Sequence, residues 1–135
     1  MQKLIEKEGL EDKVFVDSAG THGWHEGESP DLRSVECARR HGVDISYIRS
    51  RPLIEDDFLT FDIILVSDER NLRDIRLVYP KGNEYKARLG KILEYAPDWG
   101  DNVADPYYND GFDDVFMMIE DACKNLLEEI KQGKI

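Results

Sequence analysis

The run Phe61-Asp62-Ile63-Ile64-Leu65-Val66 constrains the fold more than any other stretch of the chain. Its β-branched residues favour an extended backbone. An apolar pattern that is nearly continuous, rather than alternating, belongs to a strand covered on both faces, as in a parallel sheet. Ser67-Asp68 follows at once and can cap a helix through Glu69-Arg70-Asn71-Leu72-Arg73-Asp74-Ile75, which ends near Tyr79-Pro80. A second buried strand is expected at Val14-Phe15-Val16, closed by the loop residues Asp17-Ser18-Ala19-Gly20, and a weaker one around Lys91-Ile92-Leu93-Glu94-Tyr95. Ser29 as N-cap and Pro30 at the first helical position predict a helix from Pro30 to His41, closed by Gly42. The strongest helical stripe comes last: Phe112, Val115, Phe116, Ile119, Ala122, Cys123, Leu126 and Ile130 recur at spacings of three and four. Strands alternating with helices indicate an α/β sheet, with ligands at the carboxyl ends of its strands.

No repeat or linker divides the 135 residues, so a single domain over 1–135 is expected. With 18 Lys+Arg against 29 Asp+Glu the net charge is −11. That sign argues against nucleic acid, whose binding is dominated by cations on phosphates, and against anionic membrane surfaces. The two cysteines, Cys37 and Cys123, are far apart. They form neither a disulfide framework nor a zinc cage, and they suit a reducing, cytoplasmic setting. Met1, Leu4 and Ile5 share one helical face and Gly9 sits where a C-terminal cap belongs, yet no capping residue precedes Met1. The segment reads as the back half of a helix.

Several residue groups could carry chemistry. The stretch from Asp98 to Asp114 is rich in aspartate and has no Lys or Arg. It reads either as a solvated acidic loop, with Asp113 and Asp114 favouring a helix N-terminus, or as a site in which Asp105, held extended before Pro106, is raised toward a general-acid role. Ser18 lacks a nucleophile-elbow motif and reads as a loop hydrogen-bonding residue. His22 and His25 are three apart, but Gly23 and Gly27 disfavour the helix or tight turn that metal binding would need, so no metal is expected. His41 is read as serving carbonyls at a helix C-terminus, and both cysteines as core residues. Arg39 and Arg40, or Arg49 and Arg51, could bind an anion or simply line the surface. Trp24, a large aromatic in a Gly-rich loop, calls for a stacking partner.

Taken together, Val16-Asp17-Ser18-Ala19-Gly20-Thr21, Pro30-Asp31-x-Arg33, Arg40-His41-Gly42, Phe61-Asp62-x-Ile64-Leu65, Asp68-x-x-Asn71-Leu72 and Asp105-Pro106-Tyr107-Tyr108 resemble the low-molecular-weight protein tyrosine phosphatases. The resemblance runs from Met1 to the end of the chain. It implies a flavodoxin-like doubly wound parallel sheet and a cofactor-free hydrolase that acts on phosphotyrosine proteins or small aryl phosphates. In that family a cysteine of a Cys-x5-Arg loop attacks phosphorus while an aspartate, here Asp105, protonates the leaving oxygen and later activates water. By position, Trp24, Tyr107 and Tyr108 would stack on the substrate ring, and Ser18 would support the phosphate loop.

The chain departs from the family at one point. Six positions after Cys37 stands Val43, and six after Cys123 stands Glu129, so neither cysteine supplies Cys-x5-Arg. The resemblance therefore implies an N-terminally truncated phosphatase domain that lacks the first, central strand and its nucleophile loop. Such a chain is expected to be inactive alone, to leave the Val14 and Phe61 strands without their shared neighbour, and to be open to strand-swapped homodimerisation. The alternatives are a non-catalytic interaction module of the same fold and, less favoured, an arsenate reductase.

Overall fold

The apolar run does make a strand. In the computed structural model, which describes residues 1–21, 26–78, 85–103 and 111–135, β1 spans Ile63–Val66 and pairs in parallel with β2, Arg88–Lys91. The register sets Ile63 against Arg88 and Val66 against Lys91. Parallel neighbours need a crossover connection. Here the crossover contains α4, Glu69–Val78, which packs on both strands. Asp68 caps it by accepting from the Asn71 amide at 2.8 Å. The remaining helices are α1 (Gln2–Lys7), α2 (Leu32–Arg40), the single turn α3 (Asp57–Thr60) and α5 (Phe112–Lys131). The architecture is a small parallel sheet flanked by helices.

The core has two centres. Around the sheet, Phe58, Ile75 and Ala87 pack with Ile64, Val66 and Leu89. Against α5, Leu93, Ala96 and Ala122 pack with Ile92, Val103 and Met118. Helix α5 carries Asp113 and Asp114 in its first turn and Lys131 in its last, each matched to the helix dipole. Helix α1 buries Ile5 completely and is followed past its cap Glu8 by Gly9, whose φ of +67° lies in the left-handed region that glycine enters without strain. The Lys131 ammonium then ties to Glu8 at 3.1 Å.

Four local expectations are corrected. Val14-Phe15-Val16 is not a strand: Phe15 is 75% exposed and stacks on Phe61, and the nearest pairing among the described residues is an isolated parallel bridge downstream, Gly20 to Pro52, outside the sheet. The physical reason is the lack of a neighbour. No described residue pairs with β1 along its second edge, and a cavity of about 390 Å³ is lined by both Asp17–Thr21 and Ile63–Ser67. For the same reason β1 is half-buried along its whole length rather than covered on both faces. The third strand is displaced toward the N-terminus, because Ile92–Tyr95 winds into a 3₁₀ turn. The Glu94 carboxylate folds back to accept from the Lys91 amide at 3.2 Å, and a Cβ at Gly90 would stand 2.9 Å from that carboxylate. Helix α2 starts two residues late because Asp31, not Ser29, is its N-cap, accepting from the Arg33 amide at 2.8 Å. Tyr79-Pro80, where α4 was expected to end, lies outside the described residues.

Candidate active site

The carboxyl ends of both strands meet the segment before Asp105. The Val103 amide donates to the Ser67 carbonyl at 2.9 Å, directly after β1. Asn102 Oδ1 accepts from the Glu69 amide at 3.0 Å, at the N-terminus of α4, and from Lys91 Nζ at 3.4 Å, at the end of β2. The Lys91 ammonium also reaches Glu69 at 3.4 Å. The three contacts of Asn102 and Val103 pin that segment at the carboxyl ends of the strands, where ligands bind in open α/β folds.

On the other side of the cavity stands the Asp17–Thr21 segment. Gly20 is fixed by two backbone hydrogen bonds, its amide to the Arg51 carbonyl and its carbonyl from the Leu53 amide, each 2.8 Å. Ser18 is exposed, lines the cavity and donates its amide to Asp17 Oδ1 at 2.8 Å. An arginine organises this wall. Arg51 donates from Nη1 and Nη2 to the two Asp57 oxygens at 3.0 and 3.1 Å, from Nε to Asp17 at 3.1 Å, and to the Pro52 carbonyl at 3.2 Å. Asp57 is 6% exposed and also accepts from the Ile54 amide at 2.9 Å. Burial works to raise its carboxyl, but the hydrogen bonds from Arg51 and Ile54 outweigh that and hold it below the usual carboxylate range.

Arg51 is therefore committed to two carboxylates, and Arg49 to the carbonyls of Ser46 and Ile48 at 2.7 and 2.9 Å. Neither arginine offers the anion site considered from sequence. Cys37 and Cys123 are buried, as expected of core residues, and burial pushes both thiols up, away from thiolate. Neither lines the cavity beside β1. Trp24, Asp105, Tyr107 and Tyr108, like His22 and His25, lie outside the described residues, so of the sequence-derived site residues Ser18 is the one placed.

Sequence reasoning missed two features. Nothing in the acidic run Glu55-Asp56-Asp57 sets Asp57 apart from its neighbours. His41 was assigned to helix carbonyls, but its Nε2 stands 3.0 Å from Asp113 Oδ1 and its ring stacks on Phe116 at 4.3 Å. The His41 contact crosses the fold, whereas Asp57 meets Arg51 and Ile54 six and three residues away through a turn that no residue pattern announces.

Among the described residues no helix is long and apolar enough to cross a membrane. The profile of the family described as low molecular weight phosphotyrosine protein phosphatase matches residues 1–134. A phosphatase of that description from Sus scrofa is 36% identical, covering 96% of this chain and 83% of its own. One from Schizosaccharomyces pombe is 39% identical, covering 93% and 81%. Among solved structures, a protein tyrosine phosphatase from Entamoeba histolytica superposes with a TM-score of 0.89 at 33% identity, over 99% of this chain and 86% of that one. YfkJ from Bacillus subtilis gives 0.88 at 33% identity, over 99% and 84%.

Proposed function

Since the chain belongs to the low molecular weight phosphotyrosine protein phosphatase family, we propose that its 135 residues form the body of a phosphatase acting on phosphotyrosine proteins or aryl phosphates. In this reading a cysteine thiolate attacks phosphorus. Asp105 gives its proton to the departing aryl oxygen, and its carboxylate then takes a proton from the water that cleaves the phosphocysteine, releasing phosphate and thiolate. Trp24, Tyr107 and Tyr108 stack on the substrate ring, and Ser18 donates hydrogen bonds to the phosphate-binding loop. The observation that supports the reading is the stitching of Asn102 and Val103, which precede Asp105 in the sequence, to the carboxyl ends of both strands.

The nucleophile lies outside these residues. Cys37 and Cys123 lack an arginine six positions on and are buried with raised thiols. The cavity between Asp17–Thr21 and β1 suits one further parallel strand, the central strand of the family sheet, with a Cys-x5-Arg loop at its carboxyl end. Two consequences follow: the 135-residue chain does not turn over, and the open edge of β1 permits strand exchange between two copies. The test is hydrolysis of an aryl phosphate by the chain alone and by the chain preceded by a strand and a Cys-x5-Arg-Ser segment. The first is expected at the buffer rate and the second well above it.

The absence of a usable thiol also favours a second reading, a non-catalytic interaction module. Calorimetry with a phosphotyrosine peptide separates the two, because without the anion cradle the phosphatase reading predicts no heat of binding. An arsenate reductase would need further redox cysteines in the second half of the chain, where Cys123 stands alone and buried.

A further inference from the structure

We propose that Cys37, His41 and Asp113 form a binding site for a divalent transition cation of the zinc class, at the junction of α2 with the N-terminus of α5 and away from the β1 cavity. Cys37 and His41 are four apart at the end of α2, so their side chains leave on one face. Asp113 comes from the first turn of α5. One ligand atom from each residue lies within 4.8 Å of the others. Cys37 Sγ is 3.4 Å, and His41 Nε2 3.0 Å, from the same oxygen, Asp113 Oδ1.

Those separations are near what a tetrahedral ion requires. Bond lengths of about 2.3 Å to sulfur and about 2.0–2.2 Å to nitrogen and oxygen set the donors roughly 3.4–3.6 Å apart. The Asp113–His41 separation would open by about half an ångström to admit the ion, and the sulfur–imidazole separation, within 4.8 Å, sets the third edge, with thiolate, imidazole and carboxylate on three corners and solvent on the fourth. The set of one soft, one borderline and one hard ligand suits zinc or cobalt and disfavours calcium and magnesium.

The surroundings already orient the ligands. The His41 ring stacks on Phe116 at an interplanar angle of 11°, which fixes its plane. Arg40 Nη2 is 3.4 Å from each Asp113 oxygen, so it can stay on Oδ2 as an outer partner while Oδ1 turns to the ion. Cys37 is 3% exposed, whereas the side chains of His41 and Asp113 are 30% and 57% exposed, so an ion reaches the site from solvent and meets the sulfur last. On binding, the metal–sulfur bond forms as the Cys37 thiol loses its proton to solvent, with no change in oxidation state.

The test is a titration of Co²⁺ into the full reduced chain, read by the cobalt–thiolate charge-transfer absorption, with Zn²⁺ as competitor. A band that saturates at one equivalent and is displaced by Zn²⁺ is expected. C37S should abolish it and C123S should leave it intact. H41Q and D113N should each weaken Co²⁺ binding at least about tenfold, the lower bound for loss even of an outer partner. Should circular dichroism show C37S unfolded, the two variants at the more exposed ligands decide. No thiolate band on the wild-type chain, a band that follows Cys123 instead of Cys37, or unchanged affinity in both H41Q and D113N would each overturn the site.

Discussion

The Arg51–Asp57 pair gives the sharpest prediction about the wall of the candidate active site. Asp57→Ala removes the acceptor for two guanidinium hydrogens at 3.0 and 3.1 Å and for the Ile54 amide at 2.9 Å. Deleting one partner of a fully buried pair costs about 3–5 kcal/mol. Arg51 is 31% exposed and keeps Asp17, so the lower end applies, about 3 kcal/mol including the orphaned amide. Unfolding entropy near 2.1 cal/mol/K per residue converts this to a fall in Tm of about 10 °C for a chain of this length. The folded Asp57 carboxyl titrates below its ordinary value, so its stabilisation is present above the unfolded pKa of about 3.9 and is lost as pH falls through the folded one. Denaturant melts by circular dichroism at neutral pH and at a series of values below pH 4 are the assay. The gap between wild type and variant should narrow in acid, and the double variant R51M/D57A should be less destabilised than D57A alone. A neutral-pH gap under about 1 kcal/mol, or one that ignores pH, refutes the reasoning.

Three further outcomes can be checked. In the chain extended by a Cys-x5-Arg-Ser segment, Asp105→Asn should slow substrates with poor leaving groups more than good ones; equal slowing of both, measured by steady-state rates, would remove Asp105 as the acid. Asn102→Ala takes the side-chain acceptor from the start of α4 and should cost about 1 kcal/mol in denaturant melts, with m unchanged. Phe58→Ala empties a fully buried site against Ile75 and Ala87 and should cost about 3–5 kcal/mol in denaturant melts.

Some of the molecule was legible because local chemistry decided it. Asp68 ahead of Glu69 and the long stripe of α5 carry their own signals of start and period and stand where those signals put them, and the run ending at Val66 forms its strand, though half-buried rather than covered. Elsewhere the outcome belonged to a neighbour. Val14-Phe15-Val16 has strand composition, but extended backbone becomes a strand only beside another, and none of the described residues lies there. The shift of β2 toward Arg88 came from the Glu94 carboxylate folding back on Lys91, a contact that outweighed the β propensity of Ile92. For the site, family motifs pointed to Ser18, Trp24, Asp105, Tyr107 and Tyr108, whereas the Arg51–Asp17 contact and the Cys37–His41–Asp113 group depend on distant segments meeting in space.

We propose that these residues form a phosphatase body whose nucleophile sits on a further strand beside β1. Initial rates of aryl phosphate hydrolysis by purified protein, with and without the Cys-x5-Arg-Ser extension, test it most directly. The 135-residue chain should match buffer, and the extended chain should turn over and lose all activity when the added cysteine is changed to serine. Hydrolysis by the unextended chain, or an extended and folded chain that stays silent, would contradict it.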